Sequence, residues 1–255
     1  MSLVKAALHF AVPLPKLESF RRYLFIGPHP DDIEIGAGAL AAKLAAAGKE
    51  VFFLICADGR FGGGNTPHLK ADELALLRRA EARASAKLLG AEEPRFLDFC
   101  DGGFYEYAEL ERAIAKAVGE IGPEVIFAPD PCVESECHKD HLHVGRAAKT
   151  VACFAPYAGI MERFGAKSAE VKALALYFTA KPNVFVSTAG FLDKQLDSIF
   201  SCHESQFPVP SPEASSLELY LKLRAAQFGL RTLSRSGEAY RVLDPTRMHC
   251  LPEGS

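Results

Sequence analysis

From Tyr23 onwards, short β-branched and aromatic runs alternate with longer helical patterns, and this rhythm confines the chain to a parallel sheet covered by helices on both faces. Strands are expected at Tyr23–Gly27, Val51–Cys56, Arg95–Phe99 and Glu124–Ala128. Helices are expected over Gly36–Ala47, over Ala71–Leu89 with a stop at Gly90, over Tyr107–Ile121 with a stop at Gly122-Pro123, and from about His141 to Cys153. From Pro156 the pattern changes. Lys172–Thr179 and Asn183–Ser187 read as strands flanking a Lys181-Pro182 turn, and Phe191–Phe200 and Ser216–Leu233 read as helices. The expected fold class is α/β: a Rossmann-like, mostly parallel sheet flanked by helices on both faces, with a C-terminal β/α extension packed on it. The expected organisation is one domain over 1–255, made of an N-terminal extension (1–22), an α/β core (23–155) and a C-terminal part (156–255).

A chain of 255 residues, 49% hydrophobic, can bury one large core, and no segment reads as a flexible linker. The formal charge of −3, with Lys and Arg scattered, argues against a nucleic-acid partner and for a small-molecule substrate. Val51 to Ala57 is far too short to span a membrane, and Met1 to Leu14 carries one early Lys before Pro13 and Pro15 intervene. The expectation is a cytoplasmic protein without a membrane partner; a homo-oligomer is left open. The seven Cys are odd in number and without a framework, as for reduced thiols.

Two polar clusters carry the chemistry: Pro28-His29-Pro30-Asp31-Asp32-Ile33-Glu34 and Cys137-His138-Lys139-Asp140-His141, each just after an apolar run. Together they offer a divalent ion two imidazoles and a carboxylate, with an Asp and a His to spare. Such a site keeps a coordination position open for water, as a hydrolytic centre requires. His29 and Asp32, three apart in a turn leading into a helix, can face one point. Asp31 between them can take a proton from water beside the ion, although this cluster alone reads equally well as a helix cap. His138 and His141 repeat the spacing; with Asp140 between them, one can bind the ion while the other is oriented by the carboxylate. His143 should point away along a helix, and His9, His68, His203 and His249 have no partners nearby in sequence. A closed zinc site of Cys132, Cys137, His138 and His141 would lack a C-x-x-C knuckle and leave the first cluster unexplained. Nucleotide binding through Gly36-x-Gly38 fails on an incomplete glycine fingerprint. Two glycine-rich segments, Asp58 to Gly64 and Asp101-Gly102-Gly103, each follow an expected strand, where open α/β sheets bind ligands.

These residues resemble the LmbE-like or PIG-L family, zinc-dependent deacetylases of N-acetylglucosamine-type sugars. The similarity runs from roughly Tyr23 to Leu243 and adds landmarks beyond the two clusters: Ala57-Asp58-Gly59, Arg78-Arg79-Ala80-Glu81, Phe96-Leu97-Asp98-Phe99 with Asp101-Gly102-Gly103, Pro123-Glu124-Val125-Ile126, His203-Glu204-Ser205-Gln206-Phe207 and Gly237 to Val242. Lys139 stands where the family usually has Pro and Ala57 where it often has Thr, and residues 1–22 have no counterpart.

The resemblance implies that His29, Asp32 and His141 bind one divalent metal per chain, zinc or another such as iron or cobalt. It implies that Asp31 is the general base, that His138 polarises the amide carbonyl or stabilises the oxyanion, and that Asp140 orients His138. Arg78, Asp58 and Arg60 are candidate substrate contacts, with Arg78 and Glu81 alternatively an ion pair on one helix face. The expected reaction is hydrolysis of an N-acetylated amino sugar or conjugate. An amidase acting on a non-sugar or thiol-conjugate amide, and a metal-binding protein without catalysis, are the rival readings.

Overall fold

The computed structural model describes residues 11–249, so His9, Cys250 and the start of the N-terminal extension lie outside the described residues. The strands are β1 (Arg22–Gly27), β2 (Glu50–Ala57), β3 (Arg95–Phe99), β4 (Val125–Pro129), β5 (Ala173–Tyr177), β6 (Val184–Ser187) and β7 (Gly237–Leu243). They form one sheet in the order β3-β2-β1-β4-β5-β7-β6. The pairs from β3 across to β5 are parallel, and β7 runs antiparallel to both β5 and β6.

Period-two alternation sorts side chains to the two faces of the sheet. Leu24, Ile26, Leu54 and Ile126 pack against the helices α3 (Tyr107–Ile121) and α4 (Lys139–Phe154). Tyr23, Phe25, Phe53 and Phe127 pack against α1 (Asp32–Ala46) and α2 (Ala71–Leu89) on the opposite face. The C-terminal part adds α5 (Ala158–Arg163), α6 (Leu192–Phe200) and α7 (Pro212–Arg231). The order runs outward from β1 to β3 and then returns to β4 on the other side of β1. That reversal opens a crevice at the C-terminal ends of β1 and β4, and both polar clusters emerge there.

The extents of α2, α3 and β3 are as expected, with left-handed Gly90 and Gly122 closing the two helices. Three differences have local causes. The helix α1 begins at Asp32 instead of Gly36 and is kinked at Ala37, whose φ is −154°. The groups freed at the kink find partners from the C-terminal part: Gln195 donates to the carbonyls of Glu34 and Ile35, and buried Glu238 accepts from the N–H groups of Ala39 and Leu40 at 3.0 and 2.9 Å. Neither partner is visible in the sequence around Gly36. The helix α7 begins at Pro212, where Ser211 accepts from the Ala214 N–H and proline occupies the first turn, a readable signal that the expected start at Ser216 overlooks. Finally, β7 inserts between the two strands around the Lys181-Pro182 turn, so β5 and β6 do not pair with each other. Among the described residues, no helix is long and apolar enough to cross a membrane.

Candidate metal centre

The first cluster leaves β1 through a tight turn into α1. Asp32 accepts the His29 N–H at 2.9 Å through Oδ2, so the ligand turn is braced by its own side chain. Asp31 sits at φ 122°, a backbone conformation rarely adopted outside glycine and one found where surrounding structure imposes it. Here that structure is Arg78 of α2. Its buried guanidinium holds the Pro30 carbonyl at 2.8 Å, the Asp31 carboxylate at 3.0 Å and the Gly59 carbonyl at 3.0 Å. Gly59 is required at that contact, because a Cβ there would lie 2.1 Å from the arginine.

The second cluster opens α4, and its imidazoles meet those of the first. One nitrogen of His29 lies 3.3 Å from Asp32 Oδ2, and one nitrogen of His141 lies 3.4 Å from the same oxygen. Each ring offers its other nitrogen to a carboxylate: His29 Nε2 to Asp140 at 3.0 Å and Asp101 at 3.1 Å, His141 Nδ1 to Glu136 at 2.9 Å. This is the arrangement by which outer carboxylates fix the orientation of metal-ligating histidines. Two donors about 2.1 Å from one ion at the tetrahedral angle stand roughly 3.4 Å apart, so the His29–Asp32 and His141–Asp32 separations each suit a shared divalent cation.

Protonation points the same way. Burial lowers the pKa of His29, but Asp101, Asp140 and Asp32 outweigh it and hold the ring well above its ordinary value. Burial likewise works against His141, yet Asp32 and Glu136 lift it to about 9. Asp32 is held below the carboxylate range by His141 and His29 despite its burial. The cluster thus stabilises positive charge in its interior. Asp31 behaves oppositely: burial and neighbouring Asp32 raise it to about 6 against the pull of Arg78.

His138 is exposed beside this cluster, its ring 4.7 Å from that of His29 and 5.1 Å from that of His141. Its Nδ1 accepts from the Asp140 N–H at 3.3 Å, which leaves the ring proton on Nε2, and burial together with the two neighbouring imidazoles lowers its pKa. The Asp140 carboxylate is 3.9 Å from His138 Nδ1, beyond hydrogen-bond reach. It instead accepts from the Tyr105 hydroxyl at 2.8 Å and the Gly102 N–H at 2.7 Å while contacting His29. Asp140 therefore braces His29 where an Asp140–His138 pair was expected.

Other expected residues are placed differently. Arg78 and Glu81 do not pair with each other: Arg78 serves Asp31, and Glu81 accepts from the N–H and hydroxyl of Ser205. Asp58 and Arg60 pair at 2.7 Å and line a cavity of about 300 Å³ with Asp72, Arg79 and Phe96, which His29, Asp32, His138 and His141 do not line. His143 lies against Tyr105 and Tyr107. Two groups of described residues hold donors close enough for a metal, His29 with His138 and His141, and His29 with Asp101, His138 and Asp140, and the exposed Cys132 and Cys137 join neither. Three partners were not assigned from the sequence: Glu136 on His141, only five residues away; Asp101 on His29, which stands in the glycine-rich segment after β3; and His203, buried against Glu34 from 169 residues away.

Residues 24–152 match the family described as PIG-L: GlcNAc-PI de-N-acetylase. The chain is also 30% identical over 254 residues to diacetylchitobiose deacetylase of Thermococcus kodakarensis, covering 98% of this chain and 93% of the relative. This chain belongs to the PIG-L family. A 1D-myo-inositol 2-acetamido-2-deoxy-alpha-D-glucopyranoside deacetylase of Mycolicibacterium vanbaalenii is 26% identical over 270 residues, covering 92% of each chain. The solved N,N'-diacetylchitobiose deacetylase of Pyrococcus horikoshii superposes with a TM-score of 0.87 at 28% identity, covering 99% of this chain and 97% of that one. The expected α/β fold and amide-hydrolysing deacetylase class both stand with this membership.

Proposed function

We propose that this PIG-L protein removes the acetyl group from an N-acetylglucosamine-type amino sugar, with one divalent cation, zinc, held by His29, Asp32 and His141. The observation that carries this reading is the convergence of both imidazoles on Asp32 Oδ2, each ring backed by a carboxylate. When bound, the cation supplies Lewis acidity to the acyl carbonyl and acidifies a water.

The chain's own groups carry the proton and the charge. Asp31, fixed by Arg78, takes a proton from water as its oxygen attacks the acyl carbon. His138, with its proton on Nε2, donates to the oxyanion of the tetrahedral intermediate. As the C–N bond breaks, Asp31 returns the proton to the leaving nitrogen, giving acetate and a free amine. Asp140, Asp101 and Glu136 keep the imidazoles in register. Arg78 Nε is buried without a hydrogen-bond partner among the described residues, so Arg78 acts here through Asp31. Asp58 and Arg60 line a cavity that Pro30 of the ligand turn also lines, and they are given no part in the proton and charge steps.

The test is amine release from N-acetylglucosamine, N,N'-diacetylchitobiose and a set of non-sugar acetamides, after zinc, cobalt or iron is returned to chelated protein. Release from the sugars alone supports the reading. Release from the other acetamides alone makes the protein a general amidase.

A further inference from the structure

A cavity of about 150 Å³ lies between α4 and the paired strands β5 and β7, with Lys149, Cys153, Leu174, Arg241, Leu243 and Arg247 on its walls. Lys149 and Cys153 stand one helical turn apart on α4 and so share a face. Leu174 and Leu243 are partners across β5 and β7, and Arg241, two residues before Leu243, points to the same helix-covered face of the sheet. Arg247 comes from the segment after β7. Three cations thus meet over a leucine floor, and the walls carry no acidic side chain among the described residues.

The hydrogen bonds made by these cations leave donors over. Arg247 is buried; its Nη1 donates to the Asp244 carboxylate at 2.8 Å and its Nη2 to the Val12 carbonyl at 2.6 Å. A guanidinium has five N–H donors, so those two bonds do not exhaust it. Lys149 Nζ donates to Cys132 Sγ at 3.6 Å, and no carboxylate of the described residues lies within ion-pair reach of it. A thiol is a weak acceptor for an ammonium with three donors. His249 Nε2, 3.8 Å from the Cys153 thiol, adds an imidazole beside the same wall. Half-buried cations whose donors are not all matched by protein acceptors call for an acceptor-rich anion.

We propose that this cavity binds a phosphate group, either the free ion or one carried by a small phosphorylated molecule. Size and charge both select it. At about 30 Å³ for each water-sized occupant, the cavity admits on the order of five non-hydrogen atoms, the number in a phosphate. Its tetrahedral oxygens accept from several sides at once, which suits the Lys149 ammonium as a point charge and the Arg247 guanidinium as a fork. A neutral sugar would bring no charge to the cations. The site is apart from the metal centre, since Lys149 lies eight residues beyond His141 on α4, roughly 12 Å along the helix axis. The proposed hydrolysis uses no residue of this cavity, so the two readings stand or fall separately.

The experiment measures binding by calorimetry on the metal-loaded full chain, for wild type, Lys149→Gln and Lys149→Arg. The probes are sodium phosphate and glucose 6-phosphate, each against sodium chloride at matched ionic strength. Occupancy of the cavity itself is read from alkylation of Cys153 by iodoacetamide, mapped by mass spectrometry with the exposed Cys137 as internal reference. Wild type should bind phosphate saturably, and phosphate should slow alkylation of Cys153 and not of Cys137. Lys149→Gln should weaken binding by about 10- to 100-fold, the worth of one charge-assisted hydrogen bond, and Lys149→Arg, which keeps the charge, should restore most of it. Protection of Cys153 by glucose 6-phosphate as well as by the free ion supports a phosphorylated molecule as the ligand; protection by the free ion alone supports inorganic phosphate. Phosphate binding that is unchanged in Lys149→Gln and leaves Cys153 alkylation untouched would place the anion at the metal centre and overturn the proposal. A wild type that binds neither probe beyond the chloride control would overturn it as well.

Discussion

Glu238 gives the sharpest test of how the C-terminal part supports α1. Its carboxylate is buried beneath the kink, where it accepts from the N–H groups of Ala39 and Leu40 and from the Tyr240 hydroxyl. Burial raises its pKa from 4.5 to about 7, against the lowering effect of Tyr240, the two N–H groups and Arg224. Between those values the folded state holds a proton that the unfolded chain releases. The stabilisation is therefore complete below about pH 4.5 and lost as pH rises through about 7, amounting to roughly 3 kcal/mol. For a chain of this size that corresponds to about 6–12 °C in melting temperature. Glu238→Gln removes the titration but presents one acceptor oxygen to two backbone donors, which costs about 1–3 kcal/mol at acid pH. Thermal unfolding from pH 4.5 to 8.5 should show wild type ahead at the acid end and the difference closing or reversing by the alkaline end. Parallel curves for the two proteins would refute the assignment of a buried, titrating Glu238.

The remaining predictions concern the metal centre. Glu136→Gln removes the carboxylate from His141 Nδ1 and should weaken metal affinity by about 10–100-fold, read by competition with a chromogenic chelator. His141→Ala should lose the ion, whereas His138→Ala should retain it and lower kcat by roughly 10²–10³; the opposite pattern would exchange the two roles. Gly59→Ala forces a methyl group against the Arg78 guanidinium and should impair turnover while elemental analysis still finds the metal; unchanged kcat would remove Arg78 from the positioning of Asp31.

What the sequence could reveal follows from the distance over which each interaction acts. The parallel strands β1, β2 and β4 were legible because their apolar runs are short, largely buried and punctuated by turns, and α2 and α3 because glycine stops sit at their ends. His29, Asp31 and Asp32 were legible because one turn after β1 holds them together, as the start of α4 holds His138, Asp140 and His141. The start of α1 was not, because its kink is satisfied by Gln195 and Glu238 from far along the chain. The partner of Asp140 differs from the expected one for a related reason. Adjacency favours His138, but the fold brings His29 across from β1, and the loop after β3 delivers Gly102 and Tyr105 to the same carboxylate.

The proposed mechanism divides the work between adjacent carboxylates: Asp32, shared by the two imidazoles, would face the cation, and Asp31, paired with Arg78, would move the proton. The most direct measurement is metal content and amine release determined on the same preparations of wild type and Asp31→Asn. The expected result is about one zinc per chain in both proteins, since three protein ligands suffice to hold a catalytic zinc, with turnover in the variant reduced by roughly 10²–10⁴. A metal-replete Asp31→Asn protein that releases amine at nearly the wild-type rate would contradict it.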